Sequence, residues 1–220
     1  MRQEIQHAVI TGGTGALGSA IADAFRQPGW VIDSPGSQLL DMRAPTAIRR
    51  YFHERRVELL VCAAGMIRDA PLIKLSEDVW DETWTINFKG TAACVNAVLP
   101  AMMTKGGGHI VLISSYSALH PPIGQVAYAT AKAALLGLIT DLATRYGPSN
   151  IRINAVLPGF LETPMTSTVS DRRRAEILAA HQLGRLNTCL IAAKFVRFLH
   201  HEMPHTSGQI FQLDSRPTRL

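Results

Sequence analysis

Cysteine is scarce in this chain of 220 residues: there are three, at positions 62, 94 and 189. Their odd number and wide scatter exclude a disulfide framework, offer no metal-ligand spacing and fit a reducing compartment. Long apolar runs are missing too. None approaches the roughly 20 residues of a membrane span, and Met1-Arg2-Gln3-Glu4 is not followed by the apolar stretch of a secretory leader. The expectation is a cytoplasmic protein with no membrane partner. Charged residues make up only 18%, with a net charge of +5. The basic residues are dispersed, and the densest run, Arg172-Arg173-Arg174, reads as a solvated helix start rather than a nucleic-acid site. Repeats, low-complexity tracts and interdomain linkers are absent. With 47% apolar residues, what remains is one well-cored domain spanning 1–220.

What is present alternates in character along the chain. The apolar run His7–Ile10 leads into Thr11-Gly12-Gly13-Thr14-Gly15-Ala16-Leu17-Gly18, and an amphipathic helix pattern follows over Ser19–Arg26. Glycines between a strand and a helix let backbone approach a pyrophosphate, whose charge the helix N-terminus favours. An ordinary tight turn would use the same glycines. A second strand, Trp30–Ile32, ends at Asp33. That carboxylate is either an acceptor for an adenosine ribose or a turn residue before Ser34-Pro35-Gly36. Leu39-Leu40-Asp41 reads as a short strand, Ala44–Arg55 as a helix, and Val57–Ala63 as a buried strand ending in Ala64-Gly65. Small residues at a strand's C-terminal end allow a ligand to lie across it.

Ser76-Glu77-Asp78 starts a helix in which Trp80 and Trp84 read as packing residues. The helical pattern runs on through Asn87 to Met103, broken by Gly90. An amide in such an apolar helix needs partners. Asn87 is therefore either a kink bonded to backbone or a holder of water beside Lys132. Strands follow at His109–Ile113, Ile151–Val156 and Ile210–Leu213, and helices at Tyr128–Tyr146, Asp171–His181 and Thr188–His200. The segment Phe160–His181 reads as a lid. Regular alternation of strand and helix predicts an α/β, doubly wound parallel sheet (Rossmann) in three layers, shortened between its second and third strands.

The chemistry concentrates in Ser114-Ser115 and Tyr128-Ala-Thr-Ala-Lys132. Tyr128 and Lys132, four apart on a helix, share one face. An ammonium beside a phenol favours the phenolate, so the spacing predicts a Tyr128 pKa below the ordinary value of about 10. Ser115, at the end of a strand, is placed to polarise a carbonyl oxygen that Tyr128 protonates.

Taken together, the glycine turn, Ala63-Ala64-Gly65, Asn87, Ser115, Tyr128-x-x-x-Lys132 and Pro158-Gly159 resemble the short-chain dehydrogenase/reductase family, nearly end to end from Thr11 to Leu213. The resemblance implies a catalytic set of Asn87, Ser115, Tyr128 and Lys132. It implies NAD or NADP bound by Gly12, Thr14, Gly15, Leu17, Gly18, Asp33, Asp41, Ala63, Ala64, Gly65, Tyr128, Lys132, Pro158, Gly159, Leu161 and Thr163. Ala64-Gly-Met-Ile-Arg-Asp69 and Pro158-Gly-Phe-Leu-Glu-Thr-Pro-Met-Thr166 look like the bacterial beta-ketoacyl-carrier-protein reductases. That similarity implies reduction of a small-molecule or carrier-bound ketone by a homo-oligomer, dimer or tetramer. A polyol dehydrogenase and a non-catalytic dinucleotide-binding protein are the alternatives.

Four departures stand out. Ala16 replaces a glycine of the turn. Cys62-Ala63-Ala64-Gly65 lacks two amides usual at that strand end. Between Asp33 and Asp41 no helix fits, which leaves NAD against NADP open, with Arg43 as the nearest cation to a 2′-phosphate. Asp214-Ser215-Arg216 stands where a final Gly-Gly is usual.

Overall fold

The computed structural model describes residues 5–217, so Met1–Glu4, read above for a leader, lies outside it. Six parallel strands form one sheet: β1 (Gln6–Thr11), β2 (Trp30–Asp33), β3 (Leu59–Cys62), β4 (Gly108–Ile113), β5 (Ile151–Leu157) and β6 (Ile210–Gln212), in the order β2-β1-β3-β4-β5-β6. The helices are α1 (Ala16–Phe25), α2 (Pro45–Phe52), α3 (Glu77–Trp84), α4 (Gly90–Lys105), α5 (Val126–Tyr146), α6 (Asp171–Ala179) and α7 (Cys189–His201).

Successive strand residues point to opposite faces, and the chain supplies apolar side chains to both. From β3, Leu60 and Cys62 join Leu112, Ile153, Ile48, Val98 and Ile139 in one core. Leu59 and Val61 join Val111, Val156, Ile21, Phe25 and Val196 in the other. That is why the central strands read as continuous apolar runs rather than as alternating ones.

Three expectations are corrected. Leu39-Leu40-Asp41 is not a strand. Only five residues separate it from β2, whereas a parallel neighbour needs a crossover of roughly a dozen. The N–H groups of Leu39 and Leu40 instead close a turn on the Gly36 carbonyl, and Leu40 and Met42 drop into the core. Gly90 does not break its helix. The irregularity is a π-helical turn at Thr85–Lys89 between α3 and α4, while Gly90 makes room for Met42, which a Cβ there would meet at 2.6 Å. Finally, α5, continued to Ser149, is long and apolar enough by length and composition to cross a membrane. Here it packs on the sheet, with Ala131, Leu135 and Ile139 buried.

Candidate active site

The C-terminal ends of β1, β3, β4 and β5 open into a cavity of about 580 Å³. Its walls include Gly12, Thr14, Gly15, Leu17 and Gly18 from the glycine turn, and Ala63 and Gly65 after β3. Ser115 after β4, Tyr128 and Lys132 on α5, and Pro158, Gly159, Leu161 and Thr163 after β5 complete them. The turn is compact because glycine permits it. Gly12 adopts φ +68°, and a Cβ on it would stand 2.7 Å from the Ala64 Cα. Gly15 caps α1 without a side-chain acceptor, and the first turn of α1 holds no acidic residue. Its orphan N–H groups therefore suit a pyrophosphate.

Lys132 is almost fully buried, and its ammonium donates to the Ile113 carbonyl at 2.9 Å. Burial pulls it down to about 8. Ser114 Oγ donates to the Lys132 carbonyl at 2.9 Å, pinning α5 to the end of β4. The Tyr128 ring is partly open to the cavity, yet protein packs closely enough around it to push the phenol up to about 12. The Ser115 hydroxyl opposes that rise and the Asp69 charge adds to it. The expected lowering of Tyr128 by Lys132 is thus reversed. The ammonium is 5.8 Å from the ring centroid and donates to the Ile113 carbonyl, and desolvation outweighs it.

Asn87 is fully buried in the π-helical turn and does not line the cavity. Its Nδ2 donates to the carbonyls of Met66 and Thr83, both at 2.9 Å, and its Oδ1 accepts from Met66 N–H at 3.2 Å. A Cβ on Gly65 would lie 2.8 Å from Asn87 Oδ1 and 3.5 Å from Lys132 Nζ, so the two groups look onto the same space above Gly65.

The adenosine side differs from the sequence reading. Asp33, Asp41 and Ala64 do not line the cavity. Asp33 faces away to Arg55, 2.8 Å from Nη1. Asp41 is bound by Arg43, which also approaches Glu82 at 3.6 Å. Ser34 and Gly36 press directly on Gly13 and Thr14, and Gly13 N–H donates to the Pro35 carbonyl at 3.1 Å. Arg55, not Arg43, is therefore the cation at the end of β2. Nothing local flags a partner 22 residues away.

Other wall residues also escaped the sequence reading. Ser117, Gln125 and Asp69 line the cavity. Asp69 lies within a stretch already notable for its resemblance, and Gln125 three residues before Tyr128. The departure at the C-terminus has a structural outcome as well. Asp214 accepts from Arg216, whose guanidinium lies 3.4 Å from the Tyr116 ring centroid, and Ser215 accepts the N–H groups of Gln182 and Leu183 at the base of α6.

The model of the short chain dehydrogenase family matches residues 38–174. The chain is 36% identical over 160 residues to the 3-oxoacyl-(acyl-carrier-protein) reductase FabG of Thermotoga maritima, covering 72% of this chain and 65% of that protein. It is 33% identical to the reductase of the same name from Salmonella typhimurium, covering 94% and 95%. It is also 34% identical to the (3R)-3-hydroxyacyl-CoA dehydrogenase of Mus musculus, covering 84% and 77%. In three dimensions it matches a Beutenbergia cavernae protein described as an NAD(P)-dependent gluconate 5-dehydrogenase with bound NADP. The TM-score is 0.88 at 26% identity, over 96% of both chains. With its parallel sheet, its glycine turn and its Ser115–Tyr128–Lys132 cavity, the chain belongs to the short-chain dehydrogenase family, and it is an NAD(P)-dependent oxidoreductase acting on the CH–OH/C=O couple.

Proposed function

We propose that this chain reduces a ketone, a 3-oxoacyl thioester or a close analogue, to a secondary alcohol. The observation that carries the reading is a Tyr128 phenol held protonated by burial, with Ser115 beside it, in the cavity that also holds Lys132. A group kept protonated at neutral pH is a donor, which suits reduction. A reduced dinucleotide held by the glycine turn would supply a hydride to the carbonyl carbon. As the carbonyl π-bond breaks toward oxygen, Ser115 holds that oxygen and Tyr128 gives it a proton. Lys132 would hold a ribose hydroxyl of that dinucleotide and stabilise the tyrosinate left behind, and Asn87 faces the space above Gly65 through which a water would return the proton.

The thioester class is supported by the names of the curated relatives. The gluconate dehydrogenase described for the structural neighbour favours a polyol as the second reading. The reading includes a homo-oligomer and a substrate that is free or carrier-bound. Its test is oxidation of NADH and of NADPH with a short 3-oxoacyl pantetheine thioester and, separately, with keto sugar acids. Turnover of the thioester at least tenfold above the sugar acids is expected. Preference for the sugar acids would move the assignment to the polyol class, and binding of dinucleotide without turnover of either would overturn it.

A further inference from the structure

The two ends of the dinucleotide cleft are built unequally. A dinucleotide lies across the C-terminal ends of the strands, and an acidic residue after the second strand accepts from its adenosine ribose. Here the cavity is walled from β1, β3, β4 and β5, and among the described residues none between Gly18 and Ala63 lines it. The turn after β2 folds back over the glycine turn instead. The Pro35 carbonyl accepts the Gly13 N–H at 3.1 Å. A Cβ on Gly13 would stand 2.4 Å from Ser34, and one on Gly36 would stand 2.7 Å from the Thr14 side chain. The Gly36 carbonyl then closes on the N–H groups of Leu39 and Leu40.

The charges on this side are held within the protein. Asp33 Oδ2 accepts from Arg55 Nη1 at 2.8 Å, and the Arg55 guanidinium lies 4.3 Å from the Tyr51 ring centroid. Both Asp41 oxygens accept from Arg43, at 2.9 to 3.2 Å. A ribose hydroxyl or an adenine amine needs an acceptor that faces it, and a 2′-phosphate needs a cation to pair with. Each carboxylate here faces its own arginine, and such partly exposed pairs present little net charge to a ligand. The other half of the cleft is equipped differently. Lys132 lines the cavity, and Gly15 leaves the first N–H groups of α1 without a side-chain cap.

We propose that this site recognises its cofactor by the nicotinamide ribose and the bridging phosphates and gives the adenosine no seat, because the Ser34–Gly36 turn fills that place. Its ligands are then reduced nicotinamide dinucleotides irrespective of the second base and of a 2′-phosphate. The short connection explains the turn. Among the described residues no helix stands between β2 and α2. The chain therefore passes directly from the end of β2 to Leu40 and Met42 in the core, and its path crosses Gly13 and Thr14. This inference goes beyond the ketone-reducing reading above and does not depend on it.

The test is equilibrium binding to the full wild-type chain, followed by the fluorescence of reduced nicotinamide. The probes are NADH, NADPH, reduced nicotinamide hypoxanthine dinucleotide and reduced nicotinamide cytosine dinucleotide, with AMP and 2′,5′-ADP as competitors. The four dissociation constants should agree within about tenfold. Neither competitor, in about a hundredfold excess, should displace NADH. Arg55→Ala, which frees Asp33 and leaves the turn in place, should keep the series flat. A cytosine dinucleotide or NADPH differing from NADH by more than about tenfold, displacement of NADH by either competitor, or binding of none of the four would overturn the proposal. The binding needs no turnover, so a flat series in a protein inactive on ketones would sink the ketone reading and leave this one standing. Ketone turnover with a steep series would do the reverse.

Discussion

At the C-terminal ends of β3, β4 and β5, Lys132 and Tyr128 line a cavity, with Asn87 buried behind it; toward the opposite end of the same strands lie the buried His109 and Asn154 and the half-buried Arg152. Both sets are buried or half-buried polar groups, and they are partnered differently. Lys132 has three N–H donors and makes one bond among the described residues, to the Ile113 carbonyl. Arg152 caps the last turn of α7 through the carbonyls of Leu199, His200 and Met203, at 2.8 to 3.1 Å. Asn154 Oδ1 accepts the Gln209 N–H, which turns its Nδ2 toward the Thr206 carbonyl and His109 Nε2. That makes His109 Nε2 an acceptor, so its proton sits on Nδ1 and is given to His200 Nδ1 at 3.2 Å. The difference teaches that polar burial alone does not mark a working site. An ammonium with unused donors beside an open cavity does, while groups whose bonds close on backbone and on one another hold the fold.

Substitutions should separate the two ends. The largest effect belongs to Tyr128→Phe, which should lower kcat by about 10²–10⁴-fold, the usual worth of a general acid, with dinucleotide affinity nearly unchanged in a fluorescence titration.

Lys132→Met should reduce both rate and dinucleotide affinity, yet raise the thermal midpoint. The sign follows from burial, which lowers the ammonium to about 8 from an ordinary 10.5. Between those values the unfolded chain stays charged and the folded one does not, so stability rises with pH there, and near neutrality the buried charge is a cost that Met removes. The wild-type rate should fall as pH rises through about 8 and Lys132 loses its proton. That limb should vanish in the variant.

The opposite end should behave inversely. Asn154→Ala strands the Thr206 carbonyl and the Gln209 N–H, and should cost about 2–4 kcal/mol in denaturant unfolding while leaving kcat/KM near wild type. Burial also holds His109 well below its ordinary value and His200 down to about 3. As pH falls below about 6.5 the unfolded chain takes up protons that the folded one refuses. Stability should therefore decline by about 1.4 kcal/mol per pH unit for each histidine. His200→Gln should flatten that slope in melts run between neutral and acid pH.

Smallest is the adenosine side. Asp33→Ala and Arg55→Ala should each change the ratio of NADH to NADPH efficiency by less than about tenfold, because the pair faces away from the cavity and is half exposed.

How far the sequence was legible follows the same division. The glycine turn, Gly65, Ser115, Tyr128 and Lys132 could be placed because strand ends and an i,i+4 spacing are local signals. The doubly wound sheet was legible for the same reason. Leu39–Asp41 misled because three apolar-to-acidic residues mimic a strand end, and only the crossover length forbids it. The sign of the Tyr128 shift was missed because desolvation depends on packing from β4 and the neighbouring loops, which no spacing reveals. His109 with His200, and Asp33 with Arg55, meet across 91 and 22 residues, so pattern reading gave the histidine pair no role and set Asp33 at the adenosine ribose instead of on Arg55.

The central claim is that one end of the sheet works and the other supports, and it is tested most directly by measuring two quantities on the same preparations of Tyr128→Phe and Asn154→Ala. These are kcat/KM for reduction of a short 3-oxoacyl thioester, and the free energy of unfolding. The account predicts a rate collapse with stability retained in Tyr128→Phe, and lost stability with the rate retained in Asn154→Ala. A Tyr128→Phe enzyme keeping more than about a tenth of the wild-type rate, or an Asn154→Ala enzyme as slow as it is unstable, would contradict it.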